Sequence, residues 1–517
     1  MEVAKKLEHS LGHSFSTGKR TIAVNCLQFG DTGKGKFVDL LANWADIIVR
    51  ATGGDNAGHT IICNSKEKVF HLIPSGIIHD VEGKVNVIGS GAVIYPRTLI
   101  EEISVLQIEG VLCENLKISL SAKVIMPYHV LLDRLNEARS GGGKIGTTGK
   151  GIGPCYADFI ARSGISINDL LNPGIFLRKL TKNMEYVKRL LSVYHPEDID
   201  LIMAHEHLGS GIFSNYEGGL SLEAMIEKYL AYGEILRPYI TNTDEFLQDS
   251  VGRYNILLEG AQGYLLSIDY GTYPYVTSSD CSVQGLLKGA GLENEFVDVP
   301  FGIIKGFYMT RVGSGPFPTE MGGELSEKWC AEVGASAEEK QRYADRSIND
   351  PDEFIKGVVI RRLGQEYGAT TGRPRRTGWL DLPLLRHSLR SEANQIIMTK
   401  LDVLTGAKKI KICHSYKYQG EDYVYGDKVV KKGDVLATAI IDPYFLYSCK
   451  PIYQEFPGWT EDIRGIRKYA DLPENLKDIL RYIFVEVEAA DLKIISVGPG
   501  PEETIFLSEE EIFGDDD

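Results

Sequence analysis

The sequence predicts an α/β protein: a mostly parallel central sheet with helices on both faces and a helical subdomain attached to it. Three observations carry that prediction. Short apolar runs recur with helical patterns between them, the spacing of strands joined by crossover helices. The first run, Thr21 to Leu27, opens into a glycine-rich turn and then into helical spacing over Phe37-Val38-Asp39-Leu40-Leu41. Residues 173–249 carry amphipathic helical patterns, at 176–194 and 220–236, without strand-like runs.

Taken in order, residues 1–19 hold Lys5, Lys6 and Lys19 but no apolar stretch of signal-peptide length, and they read as a disordered extension. Buried strands are expected at 46–51, 86–89, 254–259, 396–400 and 409–413. Residues 324–356 are charged and short of strand-like runs, as in an insertion, and 511–517 form an acidic tail. No apolar run approaches the roughly 20 residues needed to cross a bilayer. Eight cysteines lie scattered with none at C-x-x-C spacing, the pattern of reduced thiols in a cytoplasmic protein. A net charge of −15 disfavours a general affinity for nucleic acid, so anionic ligands need local basic clusters.

Chemistry concentrates in six stretches. In Gly30-Asp31-Thr32-Gly33-Lys34-Gly35-Lys36 the strand–glycine loop–helix order aims backbone N–H groups at a phosphate. The usual Ser/Thr that holds magnesium is missing after the lysine, which leaves Asp31 as the one fully charged hard oxygen donor in the loop. Second, Gly53-Gly54-Asp55-Asn56-Ala57-Gly58-His59-Thr60 follows a strand. His59 there can serve as a general acid, although alone it reads equally as a histidine bonded to local backbone. Third, residues 141–154 hold seven glycines with lysines and threonines, a loop suited to phosphate or simply a surface loop, with Arg162 following on a helix-like segment. Fourth, Gly260-Ala261-Gln262-Gly263 closes a strand, and Thr277 lies in a hydroxyl-rich stretch beyond it. Fifth, Ala369-Thr370-Thr371-Gly372-Arg373-Pro374-Arg375-Arg376 puts three arginines in four positions of a stiffened loop, an anion clamp. Sixth, Thr399-Lys400-Leu401-Asp402 resembles the guanine-reading element of GTPases. Its aspartate can accept from both N1 and N2 of guanine, and Ser496-Val497-Gly498 could close over the same base.

Together and in this order, these elements resemble adenylosuccinate synthetase from about Arg20 to Leu507. His71-Leu72-Ile73-Pro74-Ser75-Gly76, Glu259-Gly260-Ala261-Gln262-Gly263 and Thr310-Arg311-Val312-Gly313 also agree. The resemblance implies a single domain over 20–510, distantly related to phosphate-loop proteins, that joins L-aspartate to IMP through a 6-phosphoryl intermediate at the expense of GTP. It implies one Mg²⁺ per subunit, held by Asp31 and the Gly58 carbonyl. It also implies a homodimer in which Arg162 reaches the partner's site, with no nucleic acid or membrane involved. The implied catalytic residues are Asp31 as base, His59 as acid and Lys34 for phosphate charge. Gly30 to Lys36, Gly58, His59, Thr60, Arg375, Lys400, Leu401, Asp402, Ser496, Val497 and Gly498 would bind GTP. Asp31, Lys34, Asn56, Ala57, Gly58, His59, Thr148, Arg162, Gln262, Thr277 and Arg373 would bind IMP. Ala369, Thr370, Thr371, Gly372, Arg373 and Arg375 would bind aspartate.

The sequence departs from the family's usual pattern at Phe29, Thr32, Asp55, Lys150 and Asp280. Two other readings stay in view: a viral-type relative that uses dGMP, which typically lacks the loop aspartate, and a GTP-binding switch without ligase activity.

Overall fold

A computed structural model describes the chain apart from residues 1, 13–14, 16–17, 64–65, 80–82, 140–145, 205–220, 333, 369–371, 509–510 and 513–517. Ten strands form the body of the central sheet: β1 (Thr21–Cys26), β2 (Ile47–Gly53), β3 (Val85–Ile94), β4 (Leu116–Ser119), β5 (Ile240–Thr241), β6 (Ile256–Glu259), β7 (Val299–Lys305), β8 (Gln395–Thr399), β9 (Asp491–Ser496) and β10 (Thr504–Phe506). Their spatial order is β10-β9-β8-β7-β1-β6-β2-β3-β4-β5, and Lys123–Val124 pairs with the end of β3. Every neighbouring pair is parallel except β9–β10 at one edge. Strands β1, β2 and β6 are buried at every position, which is why their sequences run apolar instead of alternating. Because parallel strands point one way, the loops after β1, β2, β6, β8 and β9 all open at the same edge of the sheet.

Helices cover both faces. Helix α1 (Glu2–Leu11) packs beside β9 and β10, α2 (Lys34–Ala42) follows the loop after β1, and α3 (Pro96–Ile108), α4 (Pro127–Arg139) and α5 (Ile152–Ile160) lie beyond β3. Helices also run through Pro173–Leu191, Pro196–Ala204, Leu222–Leu236 and Thr243–Ser250. The charged stretch 324–356 is helical too, at Glu324–Ala331, Ala335–Arg342 and the start of Glu353–Leu363.

Two expectations are corrected. Residues 2–11 are a helix and not a disordered extension: Leu7 is fully buried with Val3 and Leu11 packed around it, an i, i+4, i+8 stripe, and Ser10 Oγ donates to the Lys493 carbonyl at 2.9 Å. At the other end of the chain, Ile512 is buried and Glu511 lies 3.3 Å from His9; the rest of the acidic tail falls outside the described residues. The strand expected at 409–413 extends as Lys409–Tyr418 and belongs to a second sheet, with Tyr308–Arg311, Arg376–Asp381, Val435–Leu436 and Cys449–Pro457. Its outward Lys409, Lys411 and Lys417 alternate with buried residues, the mark of a strand with one solvated side.

Candidate active site

The loop after β1 is shaped by backbone. Gly30, Asp31 and Gly33 all have positive φ (86°, 51° and 79°), and Asp31 is the one residue of the three that bears a side chain in that conformation. The Gly260–Gly263 turn presses against this loop: a Cβ on Gly263 would lie 2.3 Å from the Gln28 carbonyl oxygen and 2.6 Å from the Gly30 nitrogen. Lys34, at the start of α2, donates to the Gln262 carbonyl, and Gln262 Nε2 donates to Asn56 Oδ1 at 3.1 Å. Three of the expected nucleotide residues, from three loops, thus meet through direct bonds. Asp31 keeps 38% of its side chain exposed, and its Oδ2 lies 2.6 Å from Arg375 Nε. Desolvation works against its charge, but Arg375 and Lys305 outweigh that and hold the carboxyl below the usual range.

His59 is buried behind this cleft. Its Nδ1 is hydrogen-bonded to Glu259 Oε1, and Ser75 holds the same carboxylate with both its hydroxyl (2.6 Å) and its backbone N–H (2.9 Å). Arg50 Nη1 lies 4.0 Å from Glu259 Oε1. Burial opposes the Glu259 charge, yet His59 and Arg50 draw its carboxyl down to about 2. Burial and then Arg50 push His59 down to about 4 in spite of Glu259. A carboxylate can only accept, so the Nδ1 position carries the proton and Nε2 keeps its lone pair at neutral pH. The Ala57 carbonyl in the same loop accepts from His71 Nδ1 at 2.7 Å.

On the opposite flank, Lys36 joins α2 to the loop after β9. Its Nζ donates to Ser496 Oγ (2.7 Å), the Gly498 carbonyl (2.7 Å) and the Glu503 carbonyl (3.1 Å). Burial lowers Lys36 to about 8 despite Glu503 and Asp402 nearby, and burial also raises the carboxyl of Asp402. Lys400 has a left-handed backbone, φ 58°, and its Nζ donates to the Gly364 carbonyl and to Glu366 Oε1, both at 2.8 Å. Leu401 and Val497 are buried beneath this flank.

The arginine loop separates its three arginines. Arg375 faces Asp31 and Arg373 is exposed, but Arg376 points inward, with Nη2 on Glu320 (2.5 Å) and Nη1 on Glu327 (3.0 Å). The expected three-arginine clamp is therefore a pair, because Arg376 begins a strand and successive residues of a strand face opposite sides. Ala369, Thr370 and Thr371 lie outside the described residues, as do 141–145 of the glycine loop and the side chain of Thr60; Gly372 is exposed. Thr148 is exposed and Thr277 half-buried, with no bond from either side chain to the residues above that the structure records. Arg162 lies just past α5 and not on it, exposed and with φ 66°.

The departures find physical explanations. Asp55 is buried away from Asp31: its Oδ2 accepts from Thr98 Oγ1 at 3.2 Å and lies 3.5 Å from Lys150 Nζ, which also donates to the Asp55 carbonyl at 2.7 Å. Asp280 Oδ1 accepts from Ser267 Oγ (3.1 Å) and the Ser282 N–H (2.9 Å), fixing the turn before a helix. Phe29 lies under the Arg311 guanidinium, 4.2 Å from its ring centroid. Thr32 is fully buried: its carbonyl accepts from Thr399 Oγ1 at 2.9 Å, and its hydroxyl is buried without a recorded partner. Sequence reasoning missed Glu259 as a partner of His59, and Lys305 and Glu366 altogether; Arg311 it saw only as part of a motif. Glu259, Lys305 and Glu366 are buried charges whose charged partners are distant in sequence, and a charged residue inside an apolar strand (Glu259 in β6, Lys305 in β7) was the available signal.

For a metal ion, the donor set is sparse. No group of three or more His, Cys, Asp or Glu that could hold one occurs among the described residues, and Asp55 is engaged elsewhere. One anionic carboxylate, Asp31, beside backbone carbonyls fits a magnesium ion that takes its remaining ligands from substrate phosphates and water. It does not fit an all-protein cation cage.

Fold and site define an α/β nucleotide enzyme in which a phosphate cradle, a buried His–Glu pair and a cationic loop converge at one sheet edge. A family model described as adenylosuccinate synthetase matches residues 23–505. Adenylosuccinate synthetases of Halothermothrix orenii and Carboxydothermus hydrogenoformans are each 41% identical, over 93% and 95% of this chain and 97% and 99% of their own. A solved structure of fully ligated adenylosuccinate synthetase from Plasmodium falciparum superposes with a TM-score of 0.75 at 31% identity, covering 94% of this chain and 99% of that one. The chain belongs to the adenylosuccinate synthetase family. It is a ligase that forms a carbon–nitrogen bond between IMP and aspartate with GTP as co-substrate.

Proposed function

We propose that the ligation proceeds through 6-phosphoryl-IMP in the cleft between Asp31, His59 and Arg375. The observation that carries this reading is the convergence of Asp31 and the Lys34–Gln262–Asn56 chain at one edge of the sheet, with His59 on Glu259 behind it. Asp31 takes the N1 proton of IMP, and O6 attacks the γ-phosphorus of GTP as the bond to the β-bridging oxygen breaks. The amine of aspartate then adds at C6, and phosphate leaves carrying the former O6. Lys34 and the N–H groups at the start of α2 offset the phosphate charge. His59, held neutral by burial, gains affinity for a proton at Nε2 as phosphate anions arrive, and donates it to the transferring group. Arg375 pairs with Asp31; the carboxylates of aspartate compete for that guanidinium and so restore the basicity of Asp31.

Mg²⁺, one per subunit, would be held by Asp31 and the Gly58 carbonyl and would neutralise charge on the phosphates. Asn56, Ala57, Thr148, Gln262, Thr277 and Arg373 contact IMP in this reading. Lys400, Leu401, Asp402 and Ser496 to Gly498 enclose guanine, and 369–375 closes on aspartate. We place the enzyme in the cytoplasm as a homodimer. Arg162, exposed in a left-handed backbone beside Ile160, which is 85% exposed, supports a second subunit at that surface. The described cysteines are free and buried, in keeping with a reducing compartment.

Incubation with GTP, magnesium, aspartate and either IMP or dGMP tests the reading. Adenylosuccinate from IMP is expected; product from dGMP alone overturns it, and GTP binding without turnover of either favours the switch. Asp31→Ala should lower kcat by at least about 10³-fold with an unchanged melting temperature, and a variant retaining most activity refutes the base assignment.

A further inference from the structure

Arg311 ends the strand Tyr308–Arg311 with 1% of its surface exposed, and it takes no part in the steps above. Its Nε and Nη2 donate to the Ser314 carbonyl (3.1 and 2.9 Å), and its Nη1 donates to that of Pro316 (3.3 Å). Nη2 also donates to Thr272 Oγ1 (3.0 Å) and to the Tyr275 carbonyl (3.1 Å). Its flat face covers the Phe29 ring, and the backbones of Phe29 and Arg311 are bridged as well. One planar group thus touches three segments, each close to a residue assigned to IMP. Phe29 stands two positions before Asp31, and Tyr275 two before Thr277. The 313–316 turn lies against Gly146, two positions before Thr148: a Cβ on Gly146 would be 3.1 Å from Gly313 Cα. The fit is close, since a Cβ on Gly315 (φ 113°) would be 2.3 Å from Arg311 Nη2 and 2.7 Å from Tyr275 Cβ. Arg376 holds the same turn by its other carbonyls, Gly313 (3.3 Å) and Gly315 (2.7 Å). Arg376 has Glu320 and Glu327 as partners, whereas every acceptor bonded to Arg311 is uncharged.

From this geometry we propose that Arg311 is a positioning residue for IMP, setting the spacing between the Thr277 and Thr148 segments that bind the nucleotide. Phe29 fixes the plane of the guanidinium, and the donors along its edge fix the two segments relative to that plane. The inference rests on the assignment of Thr148 and Thr277 to IMP. A buried arginine serving only the fold would hold the same segments without favouring one ligand over another. Lysine at this position would keep the charge, but its single nitrogen could not span Ser314, Pro316, Thr272 and Tyr275 together.

The test compares the dissociation constants of IMP and of GDP, by titration calorimetry, in the wild type and in Arg311→Lys. IMP should weaken by at least about tenfold, the worth of one hydrogen bond from a charged donor, and GDP by less than about threefold. A folded variant that binds IMP as tightly as the wild type overturns the proposal. Equal weakening of IMP and GDP also overturns it, because that is the mark of a general structural role. Should Arg311→Lys fail to fold, Thr272→Val removes one acceptor and leaves the other three. IMP should then weaken by about threefold with GDP unchanged, and an unchanged IMP affinity again overturns the proposal. Thr277→Val, measured alongside, checks the assignment beneath the inference. If that change leaves IMP affinity intact, the assignment falls and the positioning role with it. If Thr277→Val loosens IMP and Arg311→Lys does not, the positioning role falls alone.

Discussion

Two buried carboxylates stand behind the cleft, Glu259 on the side assigned to IMP and Glu366 on the side assigned to guanine. Both are almost fully buried, and in both the neighbouring cations overcome burial and bring the carboxyl to about 2. Their partners differ. Glu259 faces His59, an imidazole whose proton can sit on either ring nitrogen, with Arg50 and Ser75 fixing the carboxylate from behind. Glu366 faces two lysines and a tyrosine hydroxyl. The same group in the same state therefore sets a tautomer in one place and pins two lysine side chains in the other. Which task a buried carboxylate performs is decided by whether its partner has a tautomer to fix.

The sharpest way to break that contrast is Glu259→Gln. A glutamine can still contact His59 but no longer imposes an Nδ1 proton, so kcat should fall by about 10²-fold, with KM for GTP and aspartate changed by less than about threefold. Steady-state kinetics check it, and a kcat near wild type means His59 needs no orienting carboxylate. The same change leaves Arg50 without its partner, and should cost about 3 kcal/mol of stability, read from thermal melts.

Next in size is a pH effect confined to the guanine flank. Lys36 deprotonates near 8 in the folded protein. Its three hydrogen bonds and its charge weaken above that value, and kcat/KM for GTP should drop by up to about tenfold per pH unit. The unfolded chain, with lysine near 10.5, still holds that proton between 8 and 10. The unfolded state then binds more protons, so this group's contribution to stability rises with pH across the window, and the activity loss is not unfolding. Lys36→Arg should move the limb upward. A limb that stays near 8 in that variant transfers it to Lys305, which burial also lowers to about 8.

These residues divide by how they could be read in advance. The glycine loops were legible because glycine reports a backbone requirement directly, as Gly263 against Gln28 shows. The parallel sheet was legible because its strands are apolar throughout. Glu259 and Glu366 were not, since their meaning lies in partners such as His59, 200 residues away, which no local pattern reveals. Arg376 was misread for the opposite reason: beside Arg375 it is identical in type, and only the start of a strand turns it toward Glu320. Helix α1 was read as disordered because its apolar stripe is three residues long and gains its stability from β9 and β10 rather than from its own propensity.

The smallest expected effect concerns a third carboxylate, Asp55, which is nearly buried yet belongs to a loop. Its pairing with Lys150 joins the Asn56–His59 loop to the residues beside Thr148, two segments assigned to IMP. Lys150 reaches Asp55 twice, at the carboxylate and at the backbone carbonyl, whereas Asp55→Asn removes only the charge. Asp55→Asn should therefore raise KM for IMP by about twofold and Lys150→Met by about fivefold, in line with the ~1 kcal/mol of a partly exposed pair. Neither should change kcat, because neither side chain faces Asp31 or His59. If the pair acts as a unit, the double variant is no worse than Lys150→Met alone. Effects that simply multiply would show Asp55 and Lys150 acting separately.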